Sequence, residues 1–241
     1  FDDELRTRFR AMAAEAALKG GDATAAASYV AGFPAAPESP KAKARILLAQ
    51  AALADVEKGG EDAVARYDAA IDTGYPPVAA RARFGKAVLQ LERGDIDKDA
   101  FAKELESLRY AWRGDELELE ILTRLAKFRL DEGQIDEALK QMQTATANYP
   151  DSDEAHQMNV HMSDIFADYF LGDAIDKMEP VQALAFFDRF KELTPIGTKG
   201  DEMIRNLAER LVEVDLLTQA GQLLDYQVAN RLHGGVAKAQ V

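Results

Sequence analysis

The sequence predicts an all-α protein, a solenoid of about six antiparallel helix pairs, and three observations support this. A short signature recurs about every 37 residues, with one longer step. Gly and Pro interrupt the chain at helix-length intervals, and β-branched runs are missing. The signature is an alanine followed, four and seven residues later, by apolar or small residues. Its first members are Ala26, Ala63, Phe101, Ala138, Ala183 and Ala220, where Phe101 replaces the alanine.

The signature has a direct physical meaning. An alanine lets the two helices of a pair approach closely, and the residues four and seven positions later fall on the same helix face. Those residues fill the gap to the next pair. In two copies a proline, Pro150 or Pro195, follows and ends the helix. Because a single pair leaves one face bare, we expect the pairs to stack.

Gly- and Pro-containing stops divide the chain into the predicted helices. The first pair ends in residues 33–40, which hold three prolines, and the second ends at residues 74–77, Gly-Tyr-Pro-Pro. Short connections make neighbouring helices antiparallel. The inner face of the third helix consists of Ile46, Ala49, Leu53 and Val56. The predicted helices cover about 2–18, 23–32, 41–57, 61–73, 78–92, 97–111, 116–131, 135–148, 152–171, 180–193, 200–213 and 216–231.

The fifth repeat carries an insertion at residues 172–178, which accounts for the longer step, and Pro180 fits the first turn of the helix that follows. We predict a single array over 1–241. Residues 236–241 resemble the first turns of another helix, so we also expect the chain to be a fragment of a longer array. The predicted repeats are about 1–40, 41–77, 78–114, 115–150, 151–195 and 196–235.

Composition excludes several classes of function. The net charge is −13, and no cluster of Lys and Arg is present, so nucleic-acid binding is not expected and membrane-surface binding is disfavoured. No apolar run is long enough to span a bilayer. The absence of cysteine excludes disulfides and thiolate chemistry, and it fits either the cytoplasm or the periplasm.

Candidate catalytic and metal sites are weak. His156 and His161 lie about 140° apart around a helix, so they cannot chelate one ion. No phosphate-binding loop, nucleophile elbow or Cys/His dyad occurs. An enzyme would need a deep pocket with perturbed carboxylates or histidines. We therefore predict a non-enzyme with no cofactor and no metal.

Four further features have structural interpretations. The tripeptide at residues 113–115, Arg-Gly-Asp, could serve adhesion, but Gly supplies a turn and Asp115 an N-cap, so a helix junction is favoured. Trp112 and Tyr110 are expected to pack between the third and fourth pairs.

The inner stripe of the helix 152–171 is predicted to be Ala155, Met158, Met162, Ile165 and Tyr169. Core filling is favoured over an adaptable binding patch for Met142, Met158 and Met162.

The stretch 119–152 resembles a tetratricopeptide repeat. The positions typical of that family are occupied by Leu122, Leu125, Ala126, Gly133, Ile135, Ala138, Met142, Ala145 and Pro150. The resemblance implies a right-handed superhelix whose first helices line a concave groove that holds a peptide or helix of a partner. The whole chain also resembles large bacterial tetratricopeptide proteins, which implies a bacterial cytoplasmic or periplasmic setting.

The predicted function is a protein-interaction scaffold or adaptor. If first helices line the groove, equivalent helices of the fourth and fifth repeats should lie side by side. Such a mixed but acidic strip would favour a basic partner, although a merely solvated face is the alternative. An architectural subunit that self-associates through its array ends, or a regulatory or localisation subunit, is the alternative function. The candidate partner-binding residues are Thr123, Lys127, Asp131, Gln157, His161, Asp164 and Asp168.

Overall fold

The computed structural model describes residues 3–37, 39–57 and 60–230, and these form helices and connections without a strand. The twelve helices of nine or more residues in this part confirm the predicted number. The predicted helix at residues 236–241 lies outside the described residues. The helices are α1 (Asp3–Lys19), α2 (Ala23–Ala31), α3 (Pro40–Val56), α4 (Gly60–Ile71), α5 (Pro76–Arg93), α6 (Lys98–Ala111), α7 (Glu116–Asp131), α8 (Ile135–Asn148), α9 (Asp153–Leu171), α10 (Asp173–Asp176), α11 (Pro180–Phe190), α12 (Thr198–Glu213) and α13 (Leu217–Asn230).

Side-chain caps and prolines set the helix starts. Asp22, Ser39, Asp97 and Ser152 each accept a hydrogen bond from the backbone N–H three residues later. Proline opens α3, α5 and α11, where its missing N–H leaves no helical bond unmade. The prolines at residues 76–77, interpreted from the sequence as a stop, therefore belong to the first turn of α5. The expectation for Pro180 is confirmed.

The insertion in the fifth repeat contains a helical turn that the sequence did not predict. This turn, α10, packs against α9 and buries Ile175. The segment 191–193, which the sequence placed in α11, forms a separate 3₁₀ turn. Both differences occur at a helix end, where a local turn is decided by which apolar side chain it buries.

The chain divides into two compact units, residues 1–128 and 129–241, and the boundary falls inside α7. In the N-terminal unit α1 packs on α2 and α3, α3 on α4, α4 on α5, and α5 on α6. Arg10, midway along α1, donates to the carbonyl of Gly32 just after α2. Arg83 of α5 donates to Glu104 of α6 over 2.8 Å. The same guanidinium also donates to Ser107, closer to the end of α6, so a residue in the middle of one helix contacts the middle or the end of the next, as expected for antiparallel pairs.

Small side chains fill the core between α3, α4 and α5. This core buries Ala44, Ala51, Ala63, Ala70 and Ala82 around Tyr67. A second cluster, farther along the same unit, is built from larger side chains. Its members include Phe84, Phe101, Leu105, Leu108, Ile121 and Leu125.

Tyr67 is the largest side chain at the α4–α5 contact. Its hydroxyl donates to Asp55 over 3.0 Å, and burial raises the pKa of both groups. The ring lies directly against Gly85, where an added Cβ would come within 2.7 Å of it. Glycine at position 85 is thus what allows α4 and α5 to approach closely.

Two arginines in the N-terminal unit stack on aromatic rings at the start of a following repeat. The Arg45 guanidinium lies 5.6 Å from the centre of the Tyr75 ring, and that of Arg81 lies 5.8 Å from Trp112. Arg81 also pairs with Asp115 over 2.6 Å. The two arginines are 36 residues apart and the two rings 37, so the contact follows the repeat.

Phenylalanine side chains form the core of the C-terminal unit. α8 packs on α9, α9 on α12, and α12 on α11 and α13. Phe166 has four aromatic rings around it, with centroids 4.9–6.2 Å away, and is fully buried. Phe187 and Phe190 lie four and seven positions after Ala183, where the signature predicts core residues, and both are buried. The five members of this cluster are Phe166, Phe170, Phe186, Phe187 and Phe190.

Two side chains predicted to be internal are exposed. Val56, at the last position of α3, is 55% exposed, because the buried face of α3 ends at Leu53. Tyr110 is 70% exposed and lies beside Arg109, since the buried face of α6 runs through Phe101, Leu105 and Leu108. Trp112 is half-buried against the second cluster, as expected.

Candidate functional site

The outer face of α9 carries the largest group of predicted site residues. Ser152 caps the helix, and Asp153 and Glu154 occupy its first turn, where negative charge is favourable. The candidate side chains follow at steps of four, three and four residues, which places them on one face. All are exposed to solvent. They are Gln157, His161, Asp164 and Asp168, and we call this set the α9 strip.

The opposite face of α9 holds the helix in the unit. Ala155, Met158 and Met162 are buried as predicted, but the stripe continues through Phe166 and Phe170. The sequence interpretation had continued it through Ile165 and Tyr169, which are half-buried. Either continuation has helical spacing. Packing against the phenylalanines of α11 selects the pair with the larger buried rings.

Core packing also accounts for the methionines. Met142, Met158 and Met162 are at most 6% exposed, so they fill the core and offer no adaptable surface.

The α9 strip already binds a cation from its own chain. The ammonium of Lys199, in the first turn of α12, lies 2.7 Å from Asp168 Oδ1. The hydrogen bond to Asp168 raises the pKa of Lys199, and the charge of Asp164 acts in the same direction. The Asp168 side chain is nevertheless 73% exposed, so solvent screens this pair. The strip therefore presents two carboxylates to solvent, with one amine bound weakly at Asp168.

The remaining candidates lie on α7. Thr123 is half-buried, and its hydroxyl donates to the carbonyl of Leu119 over 2.8 Å. Lys127 is exposed one turn later. Both belong to the N-terminal unit, whereas Asp131, the exposed last residue of α7, belongs to the C-terminal unit. That these three lie beside the α9 strip remains a prediction.

The Arg-Gly-Asp tripeptide forms a helix junction. Gly114 has φ +94°, which favours glycine, and Asp115 accepts from the N–H of Leu117 at the start of α7. Asp115 also accepts from Trp112 Nε1 over 2.8 Å and from Arg81. Burial raises the pKa of Asp115, but the hydrogen bonds from Trp112 and Arg81 outweigh it, and the net pKa is lowered. These contacts occupy Asp115 inside the protein.

Metal binding finds no support in the described part of the chain. His156 and His161 are both exposed, and no three His, Asp or Glu side chains in residues 3–37, 39–57 and 60–230 are placed to hold an ion.

Sequence reasoning missed a surface between α1 and α2. A cavity of about 500 Å³ lies there, lined by Arg6, Phe9, Arg10, Ala13 and Tyr29. Phe9 is 56% exposed and its neighbour Met12 is 53% exposed. Both stand in an alanine-rich helix, where the contrast between polar and apolar faces is low. The sequence signal for this surface is the pair of large apolar residues three positions apart, Phe9 and Met12.

The stacked helix pairs define a helical-repeat protein. The family model of the tetratricopeptide repeat matches residues 48–115, so this part of the chain is similar to that family. The match covers the second half of α3 and all of α4, α5 and α6, and it ends just before α7. It lies N-terminal to the stretch 119–152 on which the resemblance was based. Repeats of this family generally mediate protein–protein interaction and are typically non-catalytic.

No curated protein matches the sequence significantly. Among the helices that the structure describes, none has both the length and the apolar character required to cross a bilayer.

Proposed function

We propose that this protein is a non-catalytic interaction scaffold that holds a basic peptide or helix of a partner on the outer face of α9. The observation that carries the proposal is the Lys199 ammonium bound at Asp168 on an otherwise open surface. A lysine or arginine of a partner would meet the same carboxylates, including Asp164, which has the weaker influence on Lys199.

The charge distribution favours a basic partner. Residues 129–241 contain twenty Asp or Glu and ten Lys or Arg, a net charge of −10, whereas residues 1–128 carry −3. This field attracts cationic segments and raises their association rate. Exposed charge pairs determine encounter and specificity more than affinity, so binding should be weak and should decrease with salt.

The scaffold proposal extends to α7. In a groove lined by first helices, Thr123, Lys127 and Asp131 would stand beside the α9 strip and contact the same bound segment. Lys127 would then select against a uniformly basic ligand. A partner with one acidic residue among its basic ones would fit this mixed surface best.

A binding experiment tests this assignment. The probe is a fluorescently labelled amphipathic peptide rich in lysine, and anisotropy reports binding to the full chain. Asp164→Asn combined with Asp168→Asn should weaken binding about fivefold, since each exposed pair contributes about 0.5 kcal/mol. The melting temperature should be nearly unchanged, because both side chains are exposed.

A matched control separates the site from the general field. Asp188 and Asp225 are exposed on α11 and α13 of the same unit. Asp188→Asn with Asp225→Asn removes the same charge and should leave binding within about twofold of wild type. Equal weakening by both double variants would show that only net charge matters. Unaltered binding in the α9 variant would remove the proposal.

A further inference from the structure

The surface between α1 and α2 combines apolar exposure with positive charge. Phe9 and Tyr29 are 56% and 42% exposed at the mouth of the cavity, and Arg6 and Arg10 line it. Arg10 donates a hydrogen bond to the carbonyl of Gly32, which carries no charge. We call this surface the cationic groove. It stands out in a chain whose net charge is −13.

The α12–α13 turn has the opposite character. Val212, Val214 and Leu217 are 51%, 48% and 58% exposed within six consecutive residues. Glu213 and Asp215 alternate with them and are also exposed. Asp215 adopts φ +63°, so the turn is tight and projects its side chains from a short segment. We call this surface the acidic turn.

We propose that the cationic groove of one copy binds the acidic turn of a second copy. The apolar side chains of the turn would enter the cavity beside Phe9 and Tyr29, and the flanking carboxylates would face the arginines. Each surface has both an apolar centre and charges opposite to those of the other. This self-association goes beyond the proposed binding of a basic peptide and does not depend on it.

Each contact joins two different surfaces, because neither surface complements itself. Two cationic grooves would repel each other, and so would two acidic turns. Every copy offers one groove and one turn, so association should rise with concentration, either as a reciprocal dimer or as a longer assembly. Screening of the charges should reverse part of this association.

Sedimentation velocity on the full chain tests the proposal through two complementary variants. Phe9→Glu places a negative charge in the groove, where it repels the acidic turn, and leaves the turn intact. Leu217→Gln removes an apolar side chain that would enter the cavity and leaves the groove intact. The wild type should associate with increasing concentration and dissociate with added salt. Each variant alone should stay monomeric. Their mixture should form a one-to-one dimer and nothing larger, because only one groove and one turn remain.

Controls keep each outcome decisive. Tyr110→Glu and Val181→Gln make the same kinds of change at other exposed apolar positions, one in each unit, and should associate like wild type. Circular dichroism checks folding, and Tyr29→Glu with Val214→Gln provides a second variant pair. A monomeric wild type, continued association of either variant, or a mixture without dimers would overturn the proposal. Binding of the lysine-rich peptide should be unaltered in Phe9→Glu, so failure here is distinguishable from failure of the α9 strip.

Discussion

The two compact units fill their cores in different ways, although the same spacing of helix contacts runs through both. Residues 1–128 contain thirty alanines and residues 129–241 contain thirteen. Between α3 and α5 the N-terminal unit packs alanine against alanine, with the Tyr67 ring fitted against Gly85. The C-terminal unit instead joins α9 and α11 through five phenylalanines.

The two units should therefore respond in opposite ways to a change in the size of a core side chain. A close helix contact made by small residues leaves no room for added atoms, so enlargement is the damaging change. A cluster of large rings contributes its stability through buried area and ring contacts, so truncation is the damaging change. The repeat spacing fixes where helices touch, and side-chain size fixes how far apart their axes lie.

Truncation in the phenylalanine cluster should have the largest effect. Phe166→Ala or Phe187→Ala should lower the free energy of unfolding by about 3–5 kcal/mol, because each removes a fully buried ring. Urea unfolding followed by circular dichroism measures the change. A loss below about 1 kcal/mol would mean that the ring is not part of the core.

Enlarging the side chain at position 85, in the α4–α5 contact, should have the second-largest effect on stability. Gly85→Ala should destabilise by about 1–3 kcal/mol, since the new methyl would meet the Tyr67 ring and the loss exceeds the gain of about 1 kcal/mol in helix propensity. Gly221, inside α13, is the matched control because a Cβ there meets nothing within 4 Å. Gly221→Ala should stabilise the protein by up to about 1 kcal/mol. The same sign for both variants would refute the comparison.

The ion pair at the α7 junction should have a smaller, pH-dependent effect. The pKa of Asp115 is lowered in the folded state from its ordinary value of 3.8. The charge of Asp115 therefore stabilises the folded protein at pH values above 3.8. Asp115→Asn keeps the cap and should cost about 0.5–1 kcal/mol at neutral pH. This difference should shrink as pH falls below 3.8 and the wild-type carboxylate is protonated. Urea unfolding of both proteins at several pH values measures this difference. A difference that does not change with pH would contradict the account.

Removing Lys199, the cation bound at the α9 strip, should have the smallest effect. Lys199→Ala should leave the free energy of unfolding unchanged within the error of the measurement, because the pair with Asp168 is exposed. The same change should strengthen binding of the lysine-rich peptide about twofold, since a competing ammonium is gone. Anisotropy titration measures this. Weaker binding would indicate that Lys199 is part of the contact surface.

Helix positions were predictable because local signals determine them. The predicted bounds of α7 and α8 match the structure, since Asp115 caps one helix and Gly133 separates the two. Pro76 was misplaced because a proline that ends one helix and a proline that begins the next have the same local appearance. The turn α10 depends on burial of Ile175 against α9, which no local signal reports.

The candidate site was predictable in part. Helical spacing placed the exposed residues of α9 correctly, because they follow from the periodicity of one helix. The pairing of Lys199 with Asp168 joins residues 31 positions apart, so it required the fold. The same holds for Arg81, whose contacts with Trp112 and Asp115 depend on how one repeat meets the next.

The central functional claim is that a basic segment binds the outer face of α9, and the two histidines of that helix test it directly. His161 belongs to the α9 strip, and His156 lies about 140° away around the same exposed helix. Nuclear magnetic resonance of both imidazoles during titration with the lysine-rich peptide is the measurement. The account predicts that the His161 resonances shift in a saturable way and that those of His156 move little. Equal shifts, or a larger shift at His156, would contradict it.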